Sequence, residues 1–460
     1  MLRLNKEESM ASDGKLSPGL KIGYGIADLG GNLFFTIVAF WLMFFLTDVA
    51  GLSATLAGMA LMIGKIVDAV TDPLVGFLSD RTRTRWGRRR PWFFTAAIPL
   101  GISVVYLFTN PHIADQTMLF IWAAISYSVV CTIYTCVNIP YNSLTPELTK
   151  DFNERTSLNG YRNFFSVIGT LIGAGAAMMI VKMFTPEGSA DQSAGFTMMG
   201  VIFGALMTIT ALIAFFAVKE PPLPANVKTE SILKSYVHVL KNKAFRLILI
   251  PFMMNIIGVT IVTGSLKYYF DYVKKDASMD IAMLILLVTA MASMPLMVFL
   301  SKRLGKKKTY IAGMSLLAAA VIMIFLFGRA FDPVGMYILM FFAGVGLSTN
   351  YVMPWSIIPD TVEDDYAEHG IRREGIFYGI WTFGIKLGQA FAAFLIGIIL
   401  DLFKYVPNAA QSESGIFGIM LLVGPITAVF FVIANIVLGF YPIDRKRYEE
   451  TQAKIKAREG

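Results

Sequence analysis

The chain has 460 residues, of which 55% are hydrophobic and 16% are charged. Soluble globular domains carry roughly 25% charged residues, so this composition excludes an ordinary soluble protein and favours a polytopic helical membrane protein. The formal net charge is +8, but the basic residues lie in short loops beside apolar stretches. In a membrane protein this pattern signals orientation, and it does not indicate nucleic-acid binding.

The first 20 residues are polar and of mixed charge, and they lack the apolar core and cleavage site of a signal peptide. They predict a flexible cytoplasmic tail. Twelve apolar stretches follow, each long enough to cross a hydrocarbon core of about 30 Å, which needs ~20 residues. We number these predicted spans in chain order: 24–47, 53–79, 92–110, 116–146, 158–183, 196–217, 244–270, 279–300, 308–328, 334–359, 374–402 and 415–441.

The longest gap between spans is polar and rich in lysine, and it divides them six and six. The sequence therefore predicts an all-α integral membrane protein with 12 transmembrane helices in two pseudo-symmetric six-helix bundles. The predicted parts are a tail at 1–20, a bundle at 21–217, a cytoplasmic linker at 218–243, a second bundle at 244–441 and a cytoplasmic tail at 442–460.

Basic residues are concentrated after spans 2 and 8. Six arginines lie between Arg81 and Arg90, and five basic residues lie between Lys302 and Lys308. The loops after spans 1 and 3 contain neither lysine nor arginine. Because positively charged loops stay on the cytoplasmic side, we expect a multi-pass protein of the cell (inner) membrane with both termini in the cytoplasm.

The two halves of the chain resemble each other. "GFLSDRTRTRWGRRRPW" after span 2 parallels "VFLSKRLGKKKTY" after span 8. "IPYNSLTPEL" at the end of span 4 parallels "MPWSIIPDTV" at the end of span 10, and its prolines predict interrupted helices there. This six-plus-six organisation resembles that of major facilitator transporters.

Two acids lie inside span 2. Asp68 and Asp72 are four residues apart and share one face of a helix. A charge in hydrocarbon costs at least ~2.5 kcal/mol, so such residues are functional candidates. Two ionised carboxylates this close repel each other unless a cation lies between them or one of them is protonated. The pair predicts a Na⁺ or proton site, with Thr71 as a further oxygen donor. The alternative is a pair of surface acids at the cytoplasmic end of the helix.

Arg162 in span 5 and Lys386 about three turns into span 11 are cations within predicted spans. Either side chain could extend to the membrane interface by snorkelling. The functional alternative for Lys386 is that it faces a polar cavity, where it balances the span 2 acids or binds substrate.

A cytoplasmic gate is suggested by charges near the span ends. Asp80 and Arg81 follow span 2, and the acids at 363–365 precede Arg372 and Arg373 in a predicted loop. The alternative for both groups is solvated loop charge.

No enzyme motif is present. The sequence lacks HExxH, CxxC and GxSxG motifs, and its three histidines, His112, His238 and His369, are far apart in the chain. They are too few and too scattered to predict a catalytic or metal cluster. We therefore expect a protein that is no enzyme and needs no cofactor beyond a coupling cation.

With these residues in view, the chain resembles the glycoside–pentoside–hexuronide:cation symporters, the melibiose permease group of the major facilitator superfamily, over about residues 20–445. The stretch "KIVDAVTDPLVGFLSDRTRTRWGRRRPW" carries most of the resemblance, and "KIGYGIADLGGNL", "YTCVNIPYNSLTP", "IRREGIFYG" and "KLGQAFAAF" also match. The resemblance implies a coupling-cation site at Asp68 and Asp72, with Thr71 and Thr135 as additional oxygens. It implies substrate-binding positions at Asn32, Tyr134, Asn138, Asn142, Arg162, Tyr351, Thr382 and Lys386.

The chain departs from the melibiose permease at several of these positions. That protein has aspartates in place of Asn32 and Asn138, a tryptophan in place of Asn142 and an asparagine in place of Thr71. Amides still donate and accept hydrogen bonds with sugar hydroxyls. The identity of the sugar and the choice among Na⁺, Li⁺ and H⁺ stay open.

The carboxyl end, with "MPWSIIPDTVEDD" and "YPIDRKR", is also similar to the vertebrate sodium-dependent lysophosphatidylcholine transporters of the same wider family. We therefore expect cation-coupled symport of a sugar or glycoside by alternating access, with sodium-coupled transport of a lysophospholipid or another organic solute as the alternative. The expected partners are a small-molecule substrate, the coupling cation and the lipid bilayer, with no nucleic acid. We expect a monomer.

Overall fold

The computed structural model describes residues 16–149, 151–189, 191–220, 232–275, 279–370 and 373–459. The chain divides into two units, here called unit 1 (Met1–Ala225) and unit 2 (Asn226–Gly460). The regular structure in the described ranges of both units is almost entirely helical.

Unit 1 contains helices α1 to α8. Their bounds are Pro18–Gly25, Ala27–Ile37, Ala54–Arg81, Arg90–Leu107, Gln116–Leu148, Phe152–Leu171, Ala177–Phe184 and Ser193–Ala217. Short π-helical segments at Val38–Leu42 and Phe45–Val49 lie beyond α2, and a third at Ile172–Ala176 joins α6 to α7.

Unit 2 contains helices α9 to α18. Their bounds are Ile232–Lys241, Lys243–Tyr268, Met279–Ala292, Met294–Leu304, Lys306–Phe327, Pro333–His369, Glu374–Leu402, Glu413–Leu421, Thr427–Gly439 and Arg445–Glu459. Further π-helical segments extend α10 at Tyr269–Lys274 and join α16 to α17 at Leu422–Ile426.

The described residues form 11 helices that are long and apolar enough to cross a membrane, or 12 when the bent pair α11 and α12 is one span. The bend of 45° lies at Ser293, just before Pro295. The twelve-span, all-α prediction is confirmed.

Side-chain caps explain where several helices begin. An isolated helix start leaves backbone N–H groups without partners, and a short polar side chain before it accepts from one of them. Asp115, Asp151, Asn242 and Asp332 do this for α5, α6, α10 and α14 at distances of 2.8 to 3.0 Å. These caps fix the starts of the helices that carry most of the candidate site.

The two units repeat one packing pattern. In unit 1, α2 packs on α6 and α8, α4 packs on α5 and α8, and α3 packs on α5. In unit 2, α10 packs on α15 and α17, α13 packs on α14 and α17, and α11 and α12 pack on α14. Spans at corresponding positions therefore have corresponding neighbours, in agreement with the repeat in the sequence.

Glycines allow the closest helix contacts. A Cβ atom on Gly204 of α8 would lie 2.6 Å from the backbone oxygen of Gly101 in α4. In unit 2, a Cβ atom on Gly346 of α14 would lie 2.7 Å from the backbone oxygen of Gly313 in α13. Small residues permit such approach between membrane helices.

Two local predictions are wrong. Spans 4 and 10 are not interrupted, because α5 and α14 continue through their prolines, and Pro354 and Pro359 lie inside α14. The predicted loop at 363–375 is helical as far as His369, where Gly370 adopts a left-handed conformation with φ of 72° and ends α14. The polar linker and tail contain the helices α9 and α18.

Candidate functional site

Two carboxylates of α3 meet one hydroxyl of α5 inside unit 1. Asp68 is 3% exposed and Thr135 is 1% exposed, and Asp72 is half-buried one turn further along α3. The Oγ1 atom of Thr135 lies 3.0 Å from Asp68 Oδ1 and 3.1 Å from Asp72 Oδ1. The packing of α3 on α5 thus brings together three of the four residues predicted to bind a cation.

The contacts of Thr135 suit a proton or a small cation shared with the two carboxylates. A hydroxyl carries one proton, so with both carboxylates ionised that hydrogen is divided between two acceptors. A proton on one carboxyl group would give each contact its own hydrogen, and a small cation among the three oxygens would have the oxygen ligands that hard cations prefer.

Lys65 is a member of this group that the sequence reasoning missed. Its side chain is buried, with Nζ 3.8 Å from Asp68 Oδ2 and 5.3 Å from the centroid of the Phe35 ring. Its ammonium group places a positive charge beside Asp68. The available signal was spacing, since Lys65 precedes Asp68 by three residues and Asp72 by seven, on one helical face.

The hydroxyl of Thr71 donates to the backbone oxygen of Asp68 at 3.2 Å. Its role as an additional oxygen ligand of the cation stays a prediction.

Arg162 of α6 forms a bidentate ion pair with Asp28 of α2. Its Nε lies 2.6 Å from Asp28 Oδ2 and its Nη2 lies 3.2 Å from Asp28 Oδ1. The hydroxyl of Tyr141 donates to Asp28 Oδ2 at 2.6 Å, and the guanidinium carbon lies 4.8 Å from the centroid of the Tyr141 ring. This largely buried pair differs from a snorkelling arginine. The sequence reasoning missed Asp28, although it is a charged residue within the first apolar span.

A chain of hydrogen bonds runs from Arg162 along α5. Arg162 Nη2 donates to Asn142 Oδ1 at 2.5 Å, Asn142 Nδ2 donates to Asn138 Oδ1, and Asn138 Nδ2 donates to the hydroxyl of Tyr134. The three α5 residues are spaced by four and therefore share one face. Four of the predicted substrate-binding residues thus form one polar chain in unit 1.

A small cleft, partly open to solvent, adjoins this chain. Asp28, Tyr134, Asn138 and Tyr141 supply its polar groups, and apolar residues of α4, α5 and α8 supply much of the remaining wall. Asn32, also predicted to bind substrate, is half-buried, and its amide donates to the backbone oxygen of Asp28 at 2.9 Å.

The other predicted substrate-binding residues belong to unit 2. Tyr351 of α14 is 47% exposed. Thr382 of α15 is exposed, and its hydroxyl lies 3.1 Å from the backbone oxygens of Tyr378 and Gly379. Lys386 lies one turn further along α15 and is half-buried.

The predicted gate acid Asp80 belongs to an ionic cluster of unit 1, where α3 and α5 end and α4 begins. Arg89 Nη2 lies 3.0 Å from Asp80 Oδ1 and 2.9 Å from Glu147 Oε1, and Arg88 also binds Glu147. The backbone N–H groups of Arg88 and Arg89 donate to Glu220 Oε2 at 2.9 Å. Burial raises the pKa of the Glu147 carboxyl, while the charges of Arg89 and Arg88 act to lower it. The cluster joins the loop after α3 to the ends of α5 and α8.

The remaining gate residues have other neighbours. The guanidinium of Arg81 lies 3.9 Å from the centroid of the Phe77 ring in its own helix. Arg373 Nη1 lies 3.3 Å from Asp365 Oδ2, which pairs a predicted acid with a predicted base. Arg372 lies outside the described residues.

The family model described as MFS/sugar transport protein matches residues 23–445. A symporter of Synechocystis sp. that is itself uncharacterised is 30% identical, and the match covers 97% of this chain and 98% of the relative. The isoprimeverose transporter of Lactiplantibacillus pentosus is 29% identical over 92% of this chain and 88% of the relative.

A solved structure of a bacterial homologue of the human lysosomal transporter Spinster has the same fold. It aligns with a TM-score of 0.65 and 14% identity over 95% of this chain and 96% of its own. The family and these neighbours are transporters and not enzymes. The chain belongs to the MFS/sugar transport protein family, within the glycoside–pentoside–hexuronide:cation symporters of the major facilitator superfamily.

Proposed function

We propose that the chain couples the uptake of a sugar or glycoside to the entry of one monovalent cation, Na⁺ or H⁺. The cation would bind among Asp68, Asp72 and Thr135, and the sugar would bind at the polar chain that ends at Arg162 and Asp28. Transport would proceed by alternating access, as in other two-bundle transporters.

One observation carries this proposal: α5 supplies both sites from adjacent residues. Thr135 contacts the two carboxylates of α3, and its neighbour Tyr134 accepts from Asn138 in the polar chain. A shift of α5 caused by one ligand would therefore move the contacts of the other. Coupling between two linked sites is typically worth about 1–3 kcal/mol, or roughly a 5- to 150-fold change in affinity.

The two carboxylates support a link between cation binding and sugar binding. Asp68 is buried and Asp72 lies one turn away on the same helix, so their negative charges repel each other when both are ionised. A bound cation reduces this repulsion, so binding favours the arrangement of α3 and α5 in which the acids are close together. A sugar that prefers this arrangement would bind more tightly when the cation is present.

The side chains of the polar chain support a sugar as the substrate. Amides and a tyrosine hydroxyl donate to and accept from hydroxyl groups, and an arginine donates to them in several directions. Tyr134 and Phe34 add stacked rings with centroids 4.6 Å apart. The name of one relative, an isoprimeverose transporter, points to the same substrate class.

The test is a counterflow screen in proteoliposomes. A panel of mono- and disaccharides and glycosides is tested with and without Na⁺ at two pH values, and a lysophospholipid is included. We expect saturable counterflow of at least one sugar or glycoside, increased by Na⁺ or by acid. Exchange of the lysophospholipid alone would contradict the sugar assignment.

Two variants test the coupling itself. Asp68→Asn and Asp72→Asn remove a negative charge with little change in shape. We expect both to abolish sugar accumulation driven by a cation gradient. A variant that still accumulates sugar against its gradient when only the cation gradient is supplied would overturn the assignment of the cation site.

A further inference from the structure

Two of the three histidines come together at one buried carboxylate in unit 2. His238 belongs to α9, and Asp365 and His369 belong to the last turns of α14. His238 Nε2 lies 3.1 Å and His369 Nδ1 lies 3.3 Å from the same oxygen, Asp365 Oδ1. The expectation that the histidines are too scattered for a cluster is therefore wrong. His238 and His369 are 131 residues apart in the sequence, and the packing of unit 2 brings them together.

The three ligand atoms have the spacing of a metal site. Each lies within 4.8 Å of the others, and the two distances to Asp365 Oδ1 are 3.1 and 3.3 Å. Tetrahedral Zn²⁺ has ligands at about 2.0–2.1 Å, which places neighbouring ligand atoms about 3.3 Å apart. A small shift of the His238 ring would bring the third distance into this range.

The surroundings of Asp365 favour a ligand role. The side chain is 1% exposed, and Arg373 Nη1 lies 3.3 Å from its other oxygen, Oδ2. Asn242 Nδ2 donates to Oδ1 at 3.1 Å, while Asn242 Oδ1 caps α10 by accepting from Phe245 N. Hydrogen-bonded carboxylates of this kind are typical of metal sites, since their partners fix the orientation of the ligand.

We infer that His238, Asp365 and His369 form a binding site for a divalent transition metal ion of the Zn²⁺ type. Two imidazoles and one carboxylate supply three ligands, and the exposed side of His369 leaves a fourth position for water. The bound ion would replace the hydrogen bond between His238 and Asp365. It would also replace the one that His369 Nδ1 donates to the backbone oxygen of Asp365 at 3.1 Å, so metal binding requires the proton of His369 to move to Nε2. The positive charge of Arg373 opposes a cation here, so the site takes the metal only with both imidazoles neutral and Asp365 ionised.

The site would attach α9 to the end of α14. α9 is the first described helix after the division between the units, and α14 carries the predicted substrate-binding residue Tyr351. This metal is distinct from the transported cation, because its ligands are partly nitrogen and lie in unit 2, whereas the proposed coupling site is built of oxygens in unit 1. The inference therefore does not rest on the proposed transport function.

The test uses the purified full-length protein without a histidine tag. Co²⁺ is titrated into the protein in detergent. We record its visible absorption bands, which report tetrahedral coordination by nitrogen and oxygen. Zn²⁺ is then added to displace the Co²⁺. We expect one equivalent of Co²⁺ to bind and to be displaced by Zn²⁺. His238→Gln and His369→Gln should each weaken binding at least ~10-fold, as losses at metal sites typically do.

The matched control is His112→Gln, since His112 is exposed between α4 and α5 and is the remaining histidine of the chain. It should bind metal like the wild type. Thermal unfolding checks that all variants are folded. The inference would be overturned if the wild-type protein gave no saturable Co²⁺ spectrum, or if His112→Gln weakened binding as much as the other two. Asp68→Asn should bind Zn²⁺ normally even where it abolishes transport, which separates this site from the coupling site.

Discussion

The Oγ1 atom of Thr135 is the point at which α5 contacts both acids of α3, at 3.0 and 3.1 Å. We expect Thr135→Val to weaken cation activation of sugar uptake about 10- to 100-fold, because a hydrogen bond or ligand contact to a charged group is worth about 1.5–3 kcal/mol. The measurement is the initial rate of uptake as a function of Na⁺ or H⁺ concentration.

Thr135→Ser is the control, since it keeps the hydroxyl and removes only a methyl group. It should retain cation activation within a few-fold of the wild type. Equal losses in the two variants would show that the methyl packing matters and that the hydroxyl is not a cation ligand.

Asp28 and Arg162 form a charged pair within the spans of unit 1. We expect Arg162→Gln to destabilise the protein by about 3–5 kcal/mol, because it leaves Asp28 buried without its cation. The double variant Asp28→Asn with Arg162→Gln removes both charges and should recover most of this stability, but not sugar binding. Detergent-solubilised thermal unfolding and equilibrium sugar binding measure the two effects.

The double variant decides between a structural and a substrate-binding role. Recovery of both stability and sugar binding would assign the pair to folding alone. A double variant as unstable as the single one would mean that the two charges do not compensate each other, contrary to the 2.6 and 3.2 Å contacts.

At the level of residues, the sequence predicts the acids better than their partners. Asp68 and Asp72 were identified because a carboxylate in an apolar span is costly. Asp28 was missed because it lies near the start of predicted span 24–47, where a charge is inexpensive, and its burial follows from a tertiary contact with Arg162. Lys65 lies in the middle of predicted span 53–79, where the same cost argument applies, and its pairing with Asp68 in the same helix was available from spacing.

Helices differ from their sequence pattern mainly at prolines. A proline lacks the N–H that would bond four residues back, so Pro354 and Pro359 predict a break in span 10. The helix continues from Pro333 to His369, because membrane helices tolerate proline where neighbouring groups satisfy the freed carbonyls. In contrast, the span that contains Pro295 bends by 45° at this point. The sequence does not distinguish these outcomes, since packing around each proline decides them.

The contact between α4 and α8 depends on the absence of side chains at Gly101 and Gly204. We expect Gly204→Ala to destabilise unit 1 by about 1–3 kcal/mol, because its Cβ would lie 2.6 Å from the Gly101 backbone oxygen and force the helices apart. Thermal unfolding of the purified protein measures the change.

Gly160→Ala in α6 is the matched control. Its Cβ would have no heavy atom within 4 Å, and alanine is a better helix former than glycine by up to about 1 kcal/mol. It should leave the melting temperature unchanged or raise it. A Gly204→Ala protein as stable as Gly160→Ala would show that the two helices are free to separate without loss.

The whole-molecule architecture is the part that composition and hydropathy predict best. Twelve long apolar stretches, divided by one polar segment, indicate the number of spans and the repeat, and the common packing pattern of the two units agrees with them. The polar helices α9 and α18 were missed because they lack an apolar stretch long enough to register as a span. The cluster of His238 and His369 was missed because it depends on where α9 packs, and α9 itself was not predicted.

The orientation of the molecule in the membrane is a prediction of the positive-inside rule. Ala114→Cys, in the loop between α4 and α5, should react with a membrane-impermeant maleimide in intact cells. Arg85→Cys, in the arginine-rich loop after α3, should react only after permeabilisation. Mass-tag gel shifts measure the labelling of both cysteine variants. The wild-type protein is the control for labelling of the native cysteines Cys131 and Cys136, which are buried and half-buried.

The opposite labelling pattern would reverse the assignment of the termini to the cytoplasm. Labelling of both positions in intact cells would instead indicate leaky membranes. Labelling of an intracellular marker protein identifies such a preparation, which would be rejected.

The repeat of the two units has a consequence for energy conversion. When "GFLSDR" at 76–81 is aligned with "VFLSKR" at 298–303, Asp68 and Asp72 correspond to Ala290 and Met294. The duplicated architecture thus holds acids in one copy and apolar side chains in the other. The proposed transport of one ion per cycle would set a thermodynamic ceiling: each tenfold cation gradient, worth about 1.4 kcal/mol, would drive at most tenfold sugar accumulation in the absence of a membrane potential. A steeper accumulation ratio in vesicles would require a second ion.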